Sequence, residues 1–253
     1  MEKSLTEVRS YMVVKSNDLI QRSRFTLSVQ EQKIVLFLIS KIKPGDSEFH
    51  EYEFDIVDFC KVCGIYSDGG QNYENVKAAV KSLADKSIWI PVDDKKEVLV
   101  RWINKAAAYK GSGKITIRLD DDLRPYLLQL KARFTQYELL YVLAMKSQYS
   151  FRLYELLRSY EYTHKPIEVD IDALKKSIMA EKYERYADFK RYVIDIAIRE
   201  INALSDLKVE YAPKKQGRRF AALVFTIELK KDLDERLATW VNIEKILNQK
   251  ELP

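Results

Sequence analysis

Three features of the sequence together predict an α+β protein made of two copies of one small unit. A late helical segment carries an apolar stripe on one side and hydrogen-bonding groups on the other. The same order of helices and strands occurs twice, and each copy closes on a strand pair with a basic turn. The late segment is residues 187–206. At about 100° per residue, Val193, Ile194, Ala197, Ile198, Ile201 and Leu204 share one stripe, while Arg191, Asp195, Arg199 and Asn202 line the opposite side, with Lys190 and Tyr192 beside them. Cations, an acid and an amide in such a row are the groups that bond guanine, cytosine and adenine edges in a major groove. The plain alternative is a solvated helix face, and the rest of the chain decides between them.

Length and composition bound the answer. A chain of 253 residues suffices for one large or two small domains with buried cores. Its 47% hydrophobic and 32% charged content is globular, and seven Gly with six Pro leave no room for a long fibrous or disordered segment. The 43 basic residues are nearly balanced by 38 acidic ones, for a formal charge of +5, so a polyanion site has to come from clustering. No apolar run approaches about 18 residues, and the first eleven residues carry Glu2, Lys3, Glu7 and Arg9 where a signal peptide would be apolar. A cytoplasmic protein with no membrane partner is expected. Cys60 and Cys63 stand as C-x-x-C, but a structural zinc needs about four ligands, and the only histidines, His50 and His164, are isolated. No metal and no cofactor is expected. Residues 55–64 read as a short helix stopped by Gly64, with both cysteines buried in a reducing compartment.

Residues 1–24 form a polar arm whose helix or strand state the pattern leaves open. Ser28 and Glu31 make a capping box ahead of an apolar run, so a helix starts at Ser28, and Lys43-Pro-Gly-Asp46 ends it. After a short extended piece at residues 52–54 comes the cysteine helix. Residues 73–85 form a third amphipathic helix, with Val76, Ala79, Val80 and Leu83 inward and Glu74, Lys77 and Lys81 outward. Residues 98–103 and 114–119 alternate around Gly111-Ser-Gly113, predicting a β-hairpin with Lys110 and Lys114 at its tip. The Gly-Ser-Gly-Lys there lacks the remaining residues and the strand-to-helix context of a phosphate loop.

Beyond Tyr126-Leu-Leu-Gln-Leu-Lys-Ala-Arg133, read as a linker helix, the order begins again. Phe134-Thr-Gln-Tyr-Glu138 matches Leu27-Ser-Val-Gln-Glu31 with the same hydroxyl-x-x-Glu cap, and Val169-Asp-Ile-Asp-Ala-Leu174 matches Phe54-Asp-Ile-Val-Asp-Phe59. Ile201-Asn-Ala-Leu-Ser-Asp206 matches Val80-Lys-Ser-Leu-Ala-Asp85, which makes the late helix the second copy of the third. A second hairpin, 208–212 with 220–229, is joined by Pro213-Lys-Lys-Gln-Gly-Arg-Arg219, and a helix over about 233–248 closes the chain. Helix, strand, helix, helix, strand, strand is the winged-helix order: a three-helix core with a hairpin wing. The expected domains are therefore 1–125 and 126–253. The first would touch DNA through Lys77, Lys81, Lys110 and Lys114. The second would be the main sequence-specific reader, through Lys190, Arg191, Tyr192, Asp195, Arg199 and Asn202 on its helix and Lys214, Lys215, Arg218 and Arg219 on its wing. Chance solvation would have to place a charged third helix and a basic tip correctly twice, which favours double-stranded nucleic acid as the ligand.

The residues also resemble the iteron-binding replication initiators of theta-replicating plasmids (the Rep_3 family), over roughly residues 13–229. Val14-Lys-Ser-Asn-Asp-Leu-Ile20 followed by Leu27-Ser-x-x-Glu-Gln-Lys33 is similar to that family's opening motif. Leu123-Arg-Pro-Tyr-Leu127, Phe134-Thr-x-Tyr-Glu-Leu139 and Ser150-Phe-Arg-Leu-Tyr-Glu-Leu-Leu157 are similar to its signature at the domain junction. The resemblance implies two winged-helix domains, binding to repeated origin sites, origin opening with recruitment of the host helicase and initiator, and no catalytic activity. It also implies a dimerising first domain, with a homodimer in equilibrium with monomer: monomers initiate and dimers repress. A transcriptional regulator without initiation activity would share the binding chemistry. A rolling-circle nickase would need clustered histidines or acids to hold a metal at the scissile phosphate, and His50 and His164 are isolated, so no enzyme is expected.

Overall fold

The structure, a computed structural model, describes residues 3–65, 69–93 and 95–249. Under the division expected from the sequence, the first unit holds α1 (Leu5–Arg9), β1 (Met12–Ser16), α2 (Asn17–Gln21), α3 (Val29–Ile39), β2 (Tyr52–Asp55), α4 (Ile56–Cys63), α5 (Gly69–Ala84), β3 (Ser87–Pro91), β4 (Glu97–Arg101), β5 (Ile103–Ala108) and β6 (Lys114–Leu119), with α6 (Arg124–Leu127) across the expected boundary. The second holds β7 (Phe134–Glu138), α7 (Leu140–Leu143), α8 (Gln148–Arg158), β8 (Ile167–Asp170), α9 (Ile171–Ser177), α10 (Tyr186–Phe189), α11 (Asp195–Leu204), β9 (Leu207–Gln216), β10 (Arg219–Leu229) and α12 (Leu233–Asn248).

Ser or Asp side chains cap α1, α2, α3, α4, α8, α9 and α12 by accepting from their orphan N–H groups. The Ser28–Glu31 capping box is present at α3: Ser28 N donates to Glu31 at 2.6 Å and Glu31 N to Ser28 Oγ at 3.3 Å. The strand-to-helix step also repeats. The Asp55 carboxylate accepts from Val57 and Asp58 N–H at the start of α4, and the Asp170 carboxylate from Ala173 N–H at the start of α9. Cys60 and Cys63 are buried and unpaired, with burial pushing their thiols up to about 11 and about 12.

Four expectations are corrected. Phe134-Thr-Gln-Tyr-Glu138 is not a helix cap but strand β7, with Thr135 and Tyr137 turned inward; the cap equivalent to Ser28 is Ser147, ahead of α8. Strand β7 pairs antiparallel with β1, Val13 opposite Tyr137 and Lys15 opposite Thr135. The linker is not a helix past Leu127, because Leu128 is extended and Gln129 and Arg133 take φ of 50° and 53°. The stretch 98–103 is two strands: β4 pairs with β3, while β5 joins the sheet β2–β6–β5. Buried Trp102 makes the break, its ring edge-on to Phe25 at 4.9 Å. Finally, the second wing's strands continue through residues 213–216, leaving a two-residue turn at Gly217-Arg218 in the sheet β8–β10–β9. Gly217 has φ +62°, the positive value tight hairpin turns require.

Besides the β1–β7 pair, three devices tie the start of the chain to its later elements. Lys15 of β1 donates to both Glu155 oxygens of α8 at 2.8 and 2.9 Å, and Tyr137 donates to Glu155 at 2.6 Å, all of them buried. Arg152 of α8 reaches the Ile20 and Ser23 carbonyls at 3.3 and 3.1 Å. Helix α12 packs on α11 and α7 and also on α4. There the fully buried Arg9 donates to the Lys61 and Val62 carbonyls and pairs with Glu244 and Asn248 of α12.

Candidate nucleic-acid interface

The segment around α11 is helical as expected, but it carries a π-helical turn, Lys190–Ile194, between α10 and α11. Phe189, Val193, Ile194, Ala197, Ile198, Ile201 and Leu204 are buried, which confirms the apolar stripe. The wider turn pairs residues five apart instead of four: Asp195 N–H donates to the Lys190 carbonyl, and Lys190 Nζ bonds both Asp195 oxygens at 2.9 and 2.7 Å.

This geometry divides the predicted face. Arg191, Tyr192 and Arg199 are exposed. The Arg191 guanidinium lies 5.2 Å from the Tyr192 ring centre, and Tyr192 stacks on Tyr183 at 6.1 Å. Arg191 and Arg199 form no ion pair among the described residues. Asn202, expected to read adenine, points elsewhere: its amide donates to the Val209 carbonyl at 2.9 Å and accepts from Val209 N–H at 2.7 Å. That bidentate bond to β9 uses the edge a base would need. Asp195 is likewise occupied, since Tyr211 of β9 donates to it at 2.5 Å in addition to Lys190. Partial burial pushes the Asp195 carboxyl up, but the Lys190 ammonium and the Tyr211 hydroxyl outweigh it and hold it below the usual carboxylate range. Burial and the bond to Asp195 push the Tyr211 phenol up to about 12.

On the wing, Lys214 bonds Glu168 of β8 at 2.6 Å and Arg219 pairs with Asp172 of α9. Lys215 lies 4.9 Å over the Phe220 ring, and Arg218 occupies the exposed turn. Neither forms an ion pair among the described residues. In the first unit Lys77 lies 5.7 Å from the Tyr73 ring and Lys81 is exposed, both on α5. Lys110 is exposed at the β5–β6 turn, whereas Lys114 is paired with Glu53 at 2.7 Å.

Of the candidate cations, those with no carboxylate partner among the described residues are Lys77, Lys81, Lys110, Arg191, Arg199, Lys215 and Arg218. Exposed surface pairs such as Lys214–Glu168 contribute little and exchange partners at small cost, so those cations still add to the local positive field. The sequence reading missed Tyr211. Its signal was strand alternation, which puts Val209 and Tyr211 on the same face of β9. Among the described residues no group of three or more His, Cys, Asp and Glu could hold a metal ion, and no helix is long and apolar enough to cross a membrane.

A family model described as initiator replication protein, WH1, matches residues 12–158, and one described as initiator Rep protein, WH2, matches residues 170–227. An uncharacterized 27.6 kDa protein of Escherichia coli is 22% identical over 227 residues, 87% of this chain and 91% of that protein. The PI protein of Escherichia coli is 27% identical over 152 residues, 53% of this chain and 49% of that protein. A crystal structure of Pi initiator protein in complex with iteron DNA matches with a TM-score of 0.74 at 21% identity, covering 88% of this chain and 99% of that one. The shared fold is two tandem winged-helix domains.

Proposed function

We propose that this chain, which belongs to the initiator replication protein family, binds repeated double-stranded sites at a plasmid origin and starts replication there without a catalytic step or cofactor of its own. The observation that carries this reading is the recurrence of cations with no carboxylate partner among the described residues, Lys77 and Lys81 on α5 and Arg191 and Arg199 on the late helix; the basic-tipped β9–β10 hairpin follows the late helix directly, and the β5–β6 hairpin with Lys110 follows α5 after β3–β4. A third helix in the major groove and a wing on the backbone is how such units dock. Arg191 and Arg199 read base edges, Lys215 and Arg218 hold phosphates, and the first unit adds a second contact. The protein works in the cytoplasm, opens the origin, engages the host helicase and initiator, and as a dimer in equilibrium with monomer represses its own promoter. Pi initiator protein, the structural neighbour, was crystallised with iteron DNA, which supports a repeated site as the target.

Two units entering successive major grooves lie about 10 bp apart, so a bound monomer protects on the order of 20 bp in a nuclease footprint on the neighbouring origin. Protection of only about 10 bp would mean that a single unit docks.

A further inference from the structure

The late helix is joined to its wing at three levels. At its start, Tyr186 of α10 stacks on Phe220 of β10, ring centres 4.3 Å apart. At its end, Asn202 bonds Val209 of β9 in both directions. Between them lies the π-turn, where Lys190, Asp195 and Tyr211 converge. This middle junction is the unusual one. The π-turn is what brings Lys190 and Asp195 together, and Asp195 holds a tyrosine hydroxyl from the strand that runs out to the basic wing. The residue next to Lys190 is Arg191, one turn before Asp195, and Arg199 lies one turn after it. The junction thus sits between Arg191 and Arg199 and at the root of the wing carrying Lys215 and Arg218.

We propose that Lys190, Asp195 and Tyr211 are positioning residues that fix the helix and the wing in one relative orientation, so that base reading by Arg191 and Arg199 and backbone contact by the wing are made together. Asp195 then contributes to sequence preference without touching a base. The physical reason is that a charge-assisted pair joined by a phenol bond holds two elements in a narrow angular range. Bidentate base contacts are lost when a guanidinium is displaced by about an ångström. The inference rests on the reading that this helix enters DNA, and it concerns which residues aim the helix once there.

The test uses the full chain and a duplex carrying a site that the wild-type protein enriches from random-sequence oligonucleotides, with a random duplex of equal length as reference. Tyr211→Phe removes one inward-facing hydroxyl and keeps the ring, Asp195→Asn removes the charge, and Lys190→Arg preserves it. The expected result is that Y211F and D195N each reduce the ratio of cognate to random affinity by about tenfold, the size of one strong hydrogen bond. The loss is spread over several base positions, the double variant loses no more than either alone, and K190R retains most of the preference. Arg199→Ala, by contrast, relaxes one position. If D195N alters preference at a single base pair while Y211F changes nothing, Asp195 reads that base directly and the proposal is wrong. If both variants reduce binding to cognate and random duplex equally, with lowered melting temperatures, the junction serves only folding and the proposal is again wrong. A wild type that enriches no sequence would instead remove the DNA-reading premise, and the proposal with it.

Discussion

Substituting Glu155→Ala strips the buried cluster of Lys15, Tyr137 and Arg152 of its central acceptor. In the native chain Glu155 takes two bonds from Lys15 and one from Tyr137, and Arg152 stands 3.9 Å away. Burial pushes the Lys15 ammonium below its usual range, and the Glu155 carboxylate opposes that shift. Removing that partner leaves a buried cation uncompensated, at a cost of about 3–5 kcal/mol. For a chain of this size each kcal/mol moves the melting temperature by about 2–4 °C, so the variant should melt about 6–20 °C lower. The assay is a thermal melt followed by circular dichroism at neutral pH, with Lys15→Met/Glu155→Gln as the comparison. The double variant leaves no bare ammonium and still offers Tyr137 an acceptor, so it should recover part of the loss. A Glu155→Ala melting temperature within about 2 °C of wild type would show that the pair is hydrated rather than buried, and the reasoning would fail.

Three other outcomes are expected. Arg199→Ala should cost about 1–3 kcal/mol on the preferred DNA and relax one position, whereas Arg218→Ala should weaken all sequences and lower the salt slope by about 1, both measured by titration at several salt concentrations. Burial pushes the Glu31 carboxyl up, but Lys86, Ser82 and the Ser28 cap outweigh it, so its folded pKa lies below the ordinary 4.5. Its stabilisation is complete above pH 4.5 and is lost as pH falls through the folded value, so urea midpoints of wild type and Glu31→Gln should differ at pH 7 and converge in acid. Gly64→Ala places a Cβ 2.8 Å from the Leu247 side chain at a φ of +62°. The left-handed backbone alone costs about 1–2 kcal/mol, so urea unfolding should show at least that loss, and an unchanged midpoint would mean that α12 does not press on this corner.

What the sequence made legible was local. The Ser28–Glu31 box and the apolar stripe from Val193 to Leu204 each state their structure within a few residues, because capping and helical periodicity act over one or two turns. The rest depended on partners far along the chain. Phe134-Thr-Gln-Tyr-Glu138 satisfies both a hydroxyl-x-x-Glu cap and a two-residue alternation, and only its pairing with β1 selects the strand. The π-turn leaves no mark in the order of apolar residues. Asn202 on a polar helix face looks the same whether its amide awaits adenine or already holds the Val209 backbone, so the candidate face shrank when the strand beside it came into view. Arg191 and Arg199 stay on it because neither pairs with a carboxylate among the described residues.

The pairing of β1 with β7 also fixes an order of events during synthesis. The chain leaves the ribosome from its N-terminus at about 5–20 residues per second, so strand Met12–Ser16 emerges long before its partner exists. Lys15 and the carboxylate that neutralises it are 140 residues apart. Until Phe134–Glu138 and then α8 appear, the early strand has an open edge and its lysine no acceptor, the state in which nascent strands pair with neighbouring copies. Pairing of β1 thereby waits for translation of residues 134–138, the other strand of its two-stranded sheet.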